Sequence, residues 1–418
     1  MTTRQPTKVN LLIERGVRIL APETVEIGED VNPERISPDR VTIYPGCRIY
    51  GDKTLVAAGA VLGFEGPATV VNCQVGPEVQ LKGGFFQGAS FLARSSMGSG
   101  AHVREGCLLE EQAGGAHSVG LKQTILFPFV TLGSLINFCD CLMAGGTSRK
   151  DHSEVGSSYI HFNFTPNGDK ATASLIGDVP RGVMLNQPPI FLGGQGGIVG
   201  PLRVGFGVVV GAGTILRKDV PEDGKLILGA GTAARKVDHC PGLYRAVRRR
   251  TENNFHYIAN LIALRHWYRE VRSLFLGGDF FGKELHRGAI AKIDSGIAER
   301  VKRLTALAEK LPRSLEICER QPGGEEASRL REQKQELHRA RHQLEDIFLR
   351  AREQEAGGEA RDRFLAAVER RRKATGGSYI EVIQALSPEN SAEGTRWLQE
   401  VVEAVTAECL AVIPSFRG

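Results

Sequence analysis

Every sixth residue along one stretch of this chain is apolar, and that period leaves few folds open. Positions 73, 79, 85, 91, 97, 103, 109, 115 and 121 read Cys, Val, Phe, Phe, Met, Val, Leu, Gly and Leu. Glycines form a second column three residues later, at Gly76, Gly88, Gly100 and Gly106. The register returns at Leu192, Ile198, Val204, Val210 and Leu216. Six matches neither the helical repeat of 3.6 nor the strand repeat of 2. A β-sandwich with Gly-rich turns would show period-two alternation at variable spacing instead. The period does match a left-handed parallel β-helix of triangular coils, in which three hexads make a turn of about 18 residues. One side chain per face then points inward and stacks on its counterpart a coil away. A small residue eases each corner, where the backbone needs positive φ.

Glycine marks where this regime ends. Of 50 glycines, 36 precede residue 238, and the remainder of the chain is rich in Arg, Glu, Ala and Leu. A boundary near Asp238–Gly242 is expected, with a β-helical domain over 1–237 and an α-helical domain over 238–418. In the second part Tyr257, Leu261, Leu264, Tyr268 and Val271 form a helical stripe, repeated by Ile297, Val301, Leu304, Ala308 and Leu311. Leu330, Leu337 and Leu344 recur by sevens, and Gln321-Pro322-Gly323-Gly324 reads as the turn of a long helical hairpin. Further helices are expected around 364–372 and 397–412, and the helical part is a candidate cap for the solenoid. The runs Arg248–Arg250 and Arg370–Arg372 read as solvated helix faces.

Charge and composition narrow the class. A net charge of +5 over 418 residues is too mild for a dedicated nucleic-acid binder. No run of about 18 apolar residues suggests a membrane span, and the first residues carry no apolar leader. Eight scattered cysteines fit reduced thiols better than a disulfide framework. A cytoplasmic protein is expected.

The hexads break between Asn137 and Asp178. Gly145-Gly146-Thr147-Ser148-Arg149-Lys150-Asp151-His152 is followed by Tyr159 to Lys170, so two histidines and three cations gather in a short span. An imidazole beside cations is held neutral, as suits a base near pH 7. His152, and second to it His161, are the candidate catalytic residues; Arg149, Lys150 and Lys170 are candidate phosphate contacts. A mobile loop around His152 and a core role for His161 are the competing readings. Cys139-Asp140-Cys141 with His117 or His152 is weighed as a zinc site and set aside, because alternate residues of one strand need not share a ligand.

The run Val155-Gly156-Ser157-Ser158-Tyr159-Ile160-His161-Phe162-Asn163-Phe164, then Gly168-Asp169-Lys170 and Leu175-Ile176-Gly177-Asp178, resembles the acetyltransferase half of the bifunctional N-acetylglucosamine-1-phosphate uridyltransferase / glucosamine-1-phosphate acetyltransferase family. Val209 to Pro221 resembles that family's closing coil. The likeness extends to "UDP-N-acetylglucosamine pyrophosphorylase-related" proteins, and Leu55 to Gly63 reads as coil, not as a nucleotide-binding loop. The resemblance implies acetyl transfer from acetyl-CoA to an amino group of a phosphorylated or nucleotide-linked sugar such as a UDP-N-acetylglucosamine relative. It places Asn163 near donor and sugar, Lys170 at the sugar phosphate, and Gly194 and Ala212 along the pantetheine arm. A backbone N–H near Gly156 is the expected oxyanion donor, no metal is expected, and a homotrimer is implied. The alternative is a non-enzymatic trimeric scaffold or sugar-nucleotide-binding protein whose long charged helices bind a partner.

Overall fold

The computed structural model describes residues 7–229, 236, 239–319, 325–354 and 357–417. Its first part is a parallel β-helix with three flat faces, as the hexads imply. The first face is an eleven-stranded parallel sheet running from Arg18–Ile19 to Leu226–Ile227. Inward side chains stack along it in register, from Ile43 through Leu62, Leu81 and Met97 to Leu132, Val155 and Leu192. The other two faces are joined in a 16-stranded sheet. They are bridged by Gly120–Leu126 and Asn137–Met143, which cross the edge through left-handed Gln123 and Asp140.

The apolar column holds from Phe91 to Leu121, but its earlier part is displaced. The inward residues there are Val75, Leu81 and Phe86, while Phe85 faces outward. The coil from Leu81 to Met97 is shorter than the one that follows, so a strict count of six slips by one residue at Phe86 and by two at Leu81 and Val75. Fewer corners use glycine than expected. Along the edge between the first and second faces, Ser118, Leu135, Ser158 and Gln195 hold φ between 53° and 61° beside Gly100 and Gly213. Such positions cost on the order of 1 kcal/mol or more each, and the ladder on both sides fixes them.

Helix α1 (Lys8–Glu14) closes the N-terminal end, with Leu12 buried. The short α2 (Val179–Gly182) sits on a late coil. The helical region follows as α3 (Val247–Trp267), a π-turn at Tyr268–Arg272, α4 (Ser273–Leu276), α5 (Phe280–Glu309), α6 (Leu311–Glu319), α7 (Glu325–Glu353), α8 (Glu359–Thr375), α9 (Tyr379–Gln384) and α10 (Pro388–Ala411). These helices do not cap the coil's end. They lie along the third face, α5 against Leu55–Val56, Gln74–Val75, Ser90–Phe91 and Leu108–Leu109, and α3 against Ser174–Ile176. Close approach needs Gly288 on α5, where an added Cβ would stand 2.5 Å from the Gln74 side chain. Ion pairs seal the seam: Arg35–Glu284 at 2.7 Å, Arg300–Asp140 at 2.8 Å and Arg250–Asp169 at 2.5 Å.

The expected hairpin is three helices. A break at Lys310 starts α6 with Leu311-Pro312, because proline cannot donate inside a helix. Helix α7 packs on both α5 and α6. The turn Gln321–Gly324 and the boundary at 237/238 lie outside the described residues.

Candidate functional site

Where a hexad repeat is interrupted, the extra chain must leave the prism at an edge. Two edges carry such excursions at the candidate residues, and the remaining candidates stand on the tightly stacked third edge.

At the edge between the third and first faces, Gly145 (φ 101°) and Gly146 (φ 98°) open a loop that returns through a bridge from Gly146 to His152. Arg149 folds it back on the preceding coils. Its Nη1 donates to the Gln112 carbonyl at 3.0 Å, the Phe129 carbonyl at 3.2 Å and Thr131 Oγ1 at 2.8 Å. Gln384 of α9 donates to the Thr147 carbonyl at 2.6 Å and to Leu185 at 3.1 Å. Arg149 therefore anchors the loop, and its expected role as a phosphate contact conflicts with those three acceptors. Lys150 is exposed and unpaired among the described residues. His152 Nδ1 lies 3.0 Å from the Arg149 carbonyl, a contact in which the ring nitrogen must donate. That fixes the tautomer and leaves an Nε2 lone pair, 4.0 Å from the Glu154 carboxylate.

His161 is placed elsewhere. It occupies the inward column of the second face, paired in register with Ile198, and is only 4% exposed. Nε2 lies 2.8 Å from Ser174 Oγ. Burial first, then the charge of Arg300, pulls its pKa down to about 4. It is a buried core group whose Nδ1 has no partner among the described residues, a placement at odds with its reading as a catalytic residue. His256 and His266 are likewise depressed to about 4, chiefly by burial. An unfolded chain protonates these three rings near pH 6.5 while the folded one does not, so it binds more protons between those values. Stability is expected to fall as pH drops from 6.5 towards 4, and urea midpoints measured across that range check it; a flat profile contradicts it.

Asn163 and Lys170 lie at the edge between the second and third faces, both exposed. Asn163 Oδ1 accepts from Thr172 Oγ1 at 2.8 Å. The helices hold this loop: Lys310 Nζ donates to the Gly168 carbonyl at 2.6 Å, and the Gly242 N–H to Asn167 Oδ1 at 2.9 Å. Gly194 and Ala212 lie at the third edge, where coils stack so closely that a Cβ on Gly156 would be 2.4 Å from the Gly194 nitrogen. The Gly156 N–H already donates to the Leu192 carbonyl at 2.8 Å, so it is not a free oxyanion donor. Within one chain, Arg149, Lys150 and His152 share one edge, Asn163 and Lys170 a second, and Gly194 and Ala212 the third.

The second face also carries a shallow groove of about 430 Å³, lined by His102, Arg104, Leu135 and Asn137. Beside it His117 Nδ1 lies 2.8 Å from Ser134 Oγ. These outward positions alternate with the apolar column, and that alternation is the sequence signal that marks them. Cys139 faces outward here while Cys141 is fully buried, so the two thiols of the Cys-Asp-Cys run do not converge.

The fold is that of a hexapeptide-repeat β-helix protein with an appended helical region. Over about half of its length the chain is similar to proteins named bifunctional protein GlmU. The chain is 32% identical over 215 residues to the protein of that name from Nitratidesulfovibrio vulgaris strain DP4, covering 50% of this chain and 41% of the relative. It is 28% identical over 231 residues to that of Thermotoga maritima, covering 55% and 45%. The chain thus spans less than half the length of these relatives. A crystal structure of UDP-N-acetylglucosamine O-acyltransferase (LpxA) from Moraxella catarrhalis RH4 aligns at 10% identity and a TM-score of 0.24, over 48% of this chain and 67% of that one. No family model matches the chain. Among the described residues no helix is long and apolar enough to cross a membrane.

Proposed function

We propose that this protein transfers an acetyl group from acetyl-CoA to an amino group of a phosphorylated or nucleotide-linked sugar, in the cytoplasm and as a homotrimer. The chain divides in this reading into a β-helical domain, 1–237, and an α-helical domain, 238–418. The resemblance of the solenoid to GlmU supports the class. One observation carries the chemistry: the His152 imidazole is locked through Nδ1 and offers Nε2 at an edge. In the proposed step, Nε2 takes the amine proton as nitrogen attacks the thioester carbonyl. The C–S bond then breaks, and the proton passes to the departing CoA thiolate. Lys150 faces the substrate phosphate. Asn163 and Lys170 on one edge, and Gly194 and Ala212 on another, join His152 only across copies, which is why the reading needs a trimer.

His152→Ala is expected to lower kcat/KM about 100-fold, with glucosamine 1-phosphate as acceptor and CoA release as the readout. The KM for acetyl-CoA should change little, and undiminished turnover refutes the assignment. The scattering of the candidate residues over three edges favours a second reading, a scaffold without catalysis. Thermal shift separates the two: acetyl-CoA or UDP-N-acetylglucosamine raises Tm if either occupies a site, and silence from both selects the scaffold.

A further inference from the structure

A second cleft, of about 210 Å³, lies where the third face meets the helices. Its walls carry Arg181 and Arg203 from the solenoid, His256 and Asn260 from α3, and Gln399 from α10. Most of these groups are already engaged. Arg181 pairs with Asp223 at 2.5 Å and Asp178 at 2.7 Å, and lies 4.7 Å over the Phe206 ring. Asn260 accepts the Val179 N–H at 2.8 Å and donates to the His256 carbonyl at 2.8 Å. Gln399 donates to Glu403 at 2.8 Å.

Arg203 differs. Its guanidinium makes no hydrogen bond or ion pair with any described residue, and its Nε is buried without a partner. The acid near it, Asp219, is held by other donors: the backbone N–H of Arg203 at 3.0 Å, and Asn253 at 3.0 and 3.3 Å. The His256 ring, also without a hydrogen bond to any described residue, is kept neutral by burial and by the Arg203 charge. A half-buried cation with an unsatisfied nitrogen is costly unless an anion meets it. The planar fork of arginine fits a tetrahedral oxyanion with two parallel hydrogen bonds. The volume falls below the roughly 300–1,000 Å³ of sites for drug-sized ligands. It suits one anionic group and excludes a whole nucleotide sugar.

We propose that this cleft binds the phosphate group of a small phosphorylated ligand, with Arg203 as its fork and His256 as a neutral donor beside it. The inference does not rest on acetyl transfer. Calorimetric titration of the full chain with inorganic phosphate at pH 7 tests it. One saturable site is expected, weakened at least tenfold in Arg203→Gln and also in Arg203→Lys, which keeps the charge and loses the fork. His256→Ala, on the opposite wall, is expected to weaken it severalfold, so the test survives if one variant misfolds. Titration with methyl phosphate, which carries no amine or sugar for the proposed acetyl transfer, separates a monoester from free phosphate, the tighter of the two being the source. No saturable heat in the wild type, equal binding by folded Arg203→Gln, or acetate bound as tightly as phosphate overturns the proposal. Phosphate binding is read by calorimetry in Arg203→Gln and acetyl transfer by CoA release in His152→Ala, so this reading and the catalytic one fail separately.

Discussion

Arg272→Met is expected to destabilise the protein by about 3–5 kcal/mol, the usual cost of stripping one partner from a buried ion pair. The Arg272 side chain is fully buried at the seam between solenoid and helices. It pairs with Glu111, lies 3.7 Å over the Tyr379 ring, and is 5.4 Å from the Tyr268 ring. Glu110, which accepts from the Tyr268 hydroxyl, is buried beside it. Burial pushes the Glu110 carboxyl up, and the Arg272 charge acts in the opposite direction. Without the guanidinium, two carboxylates share an apolar seam with no cation. Protonation of Glu110 relieves part of that cost, so the deficit should be smallest near pH 4.5 and grow as pH rises. Urea unfolding of the variant at several pH values measures both the size and the trend. Adding Glu110→Gln and Glu111→Gln should restore most of the loss, because no buried charge then lacks a partner. Equal midpoints for wild type and Arg272→Met would show that the seam tolerates a carboxylate alone.

Phe138→Ala is expected to cost about 3–5 kcal/mol through lost burial and the void it leaves. Phe138 fills the second-face column at zero exposure, stacked on Leu121 and edge-on to Tyr159 at 6.2 Å. Coils touch only their neighbours, so the damage should stay local. His161, one coil on in the same column, should be hydrated by the void, and its pKa should rise from about 4 towards 6.5. An NMR titration of that ring, run alongside a thermal melt, checks both effects. A large fall in Tm with an unmoved His161 would show that the coils are coupled globally instead.

The repeat was readable because its cause is local. Each inward side chain must be apolar and each coil must return to the same place, so Phe91, Met97, Val103, Leu109 and Leu121 carry the fold in their spacing alone. The slip at Phe85 and Phe86 was hidden because one shortened coil changes the count while leaving every residue apolar. The helices were readable for the same reason, through stripes such as Leu261, Leu264 and Tyr268. Their position along the third face was not, because it depends on Gly288, Arg272 and Arg300 meeting partners more than a hundred residues away.

The site shows the same division. The interruption at 137–178 and its polar residues were visible as a break in period, and His152 stands in it with one ring nitrogen fixed. His161 looked equivalent in the sequence, since nothing in its neighbours says which way the strand faces. The pairing of Asn137 with Ile160 decides it, by continuing the column of Phe138 into His161. Arg149 looked free and is bound by three acceptors from earlier coils. Arg203 and His256 drew no notice, because neither motif nor period links a solenoid strand to a helix 53 positions on.

What the amino-acid order determined alone is the prism, its number of faces, and the place where it is interrupted. All of these follow from which side chains water excludes at a fixed spacing. What only the tertiary structure decided is which polar groups keep a free valence. Hydrogen bonds and ion pairs are settled by neighbours distant in the chain, and those neighbours leave Arg203 and His152 Nε2 open while they close Arg149 and Arg181.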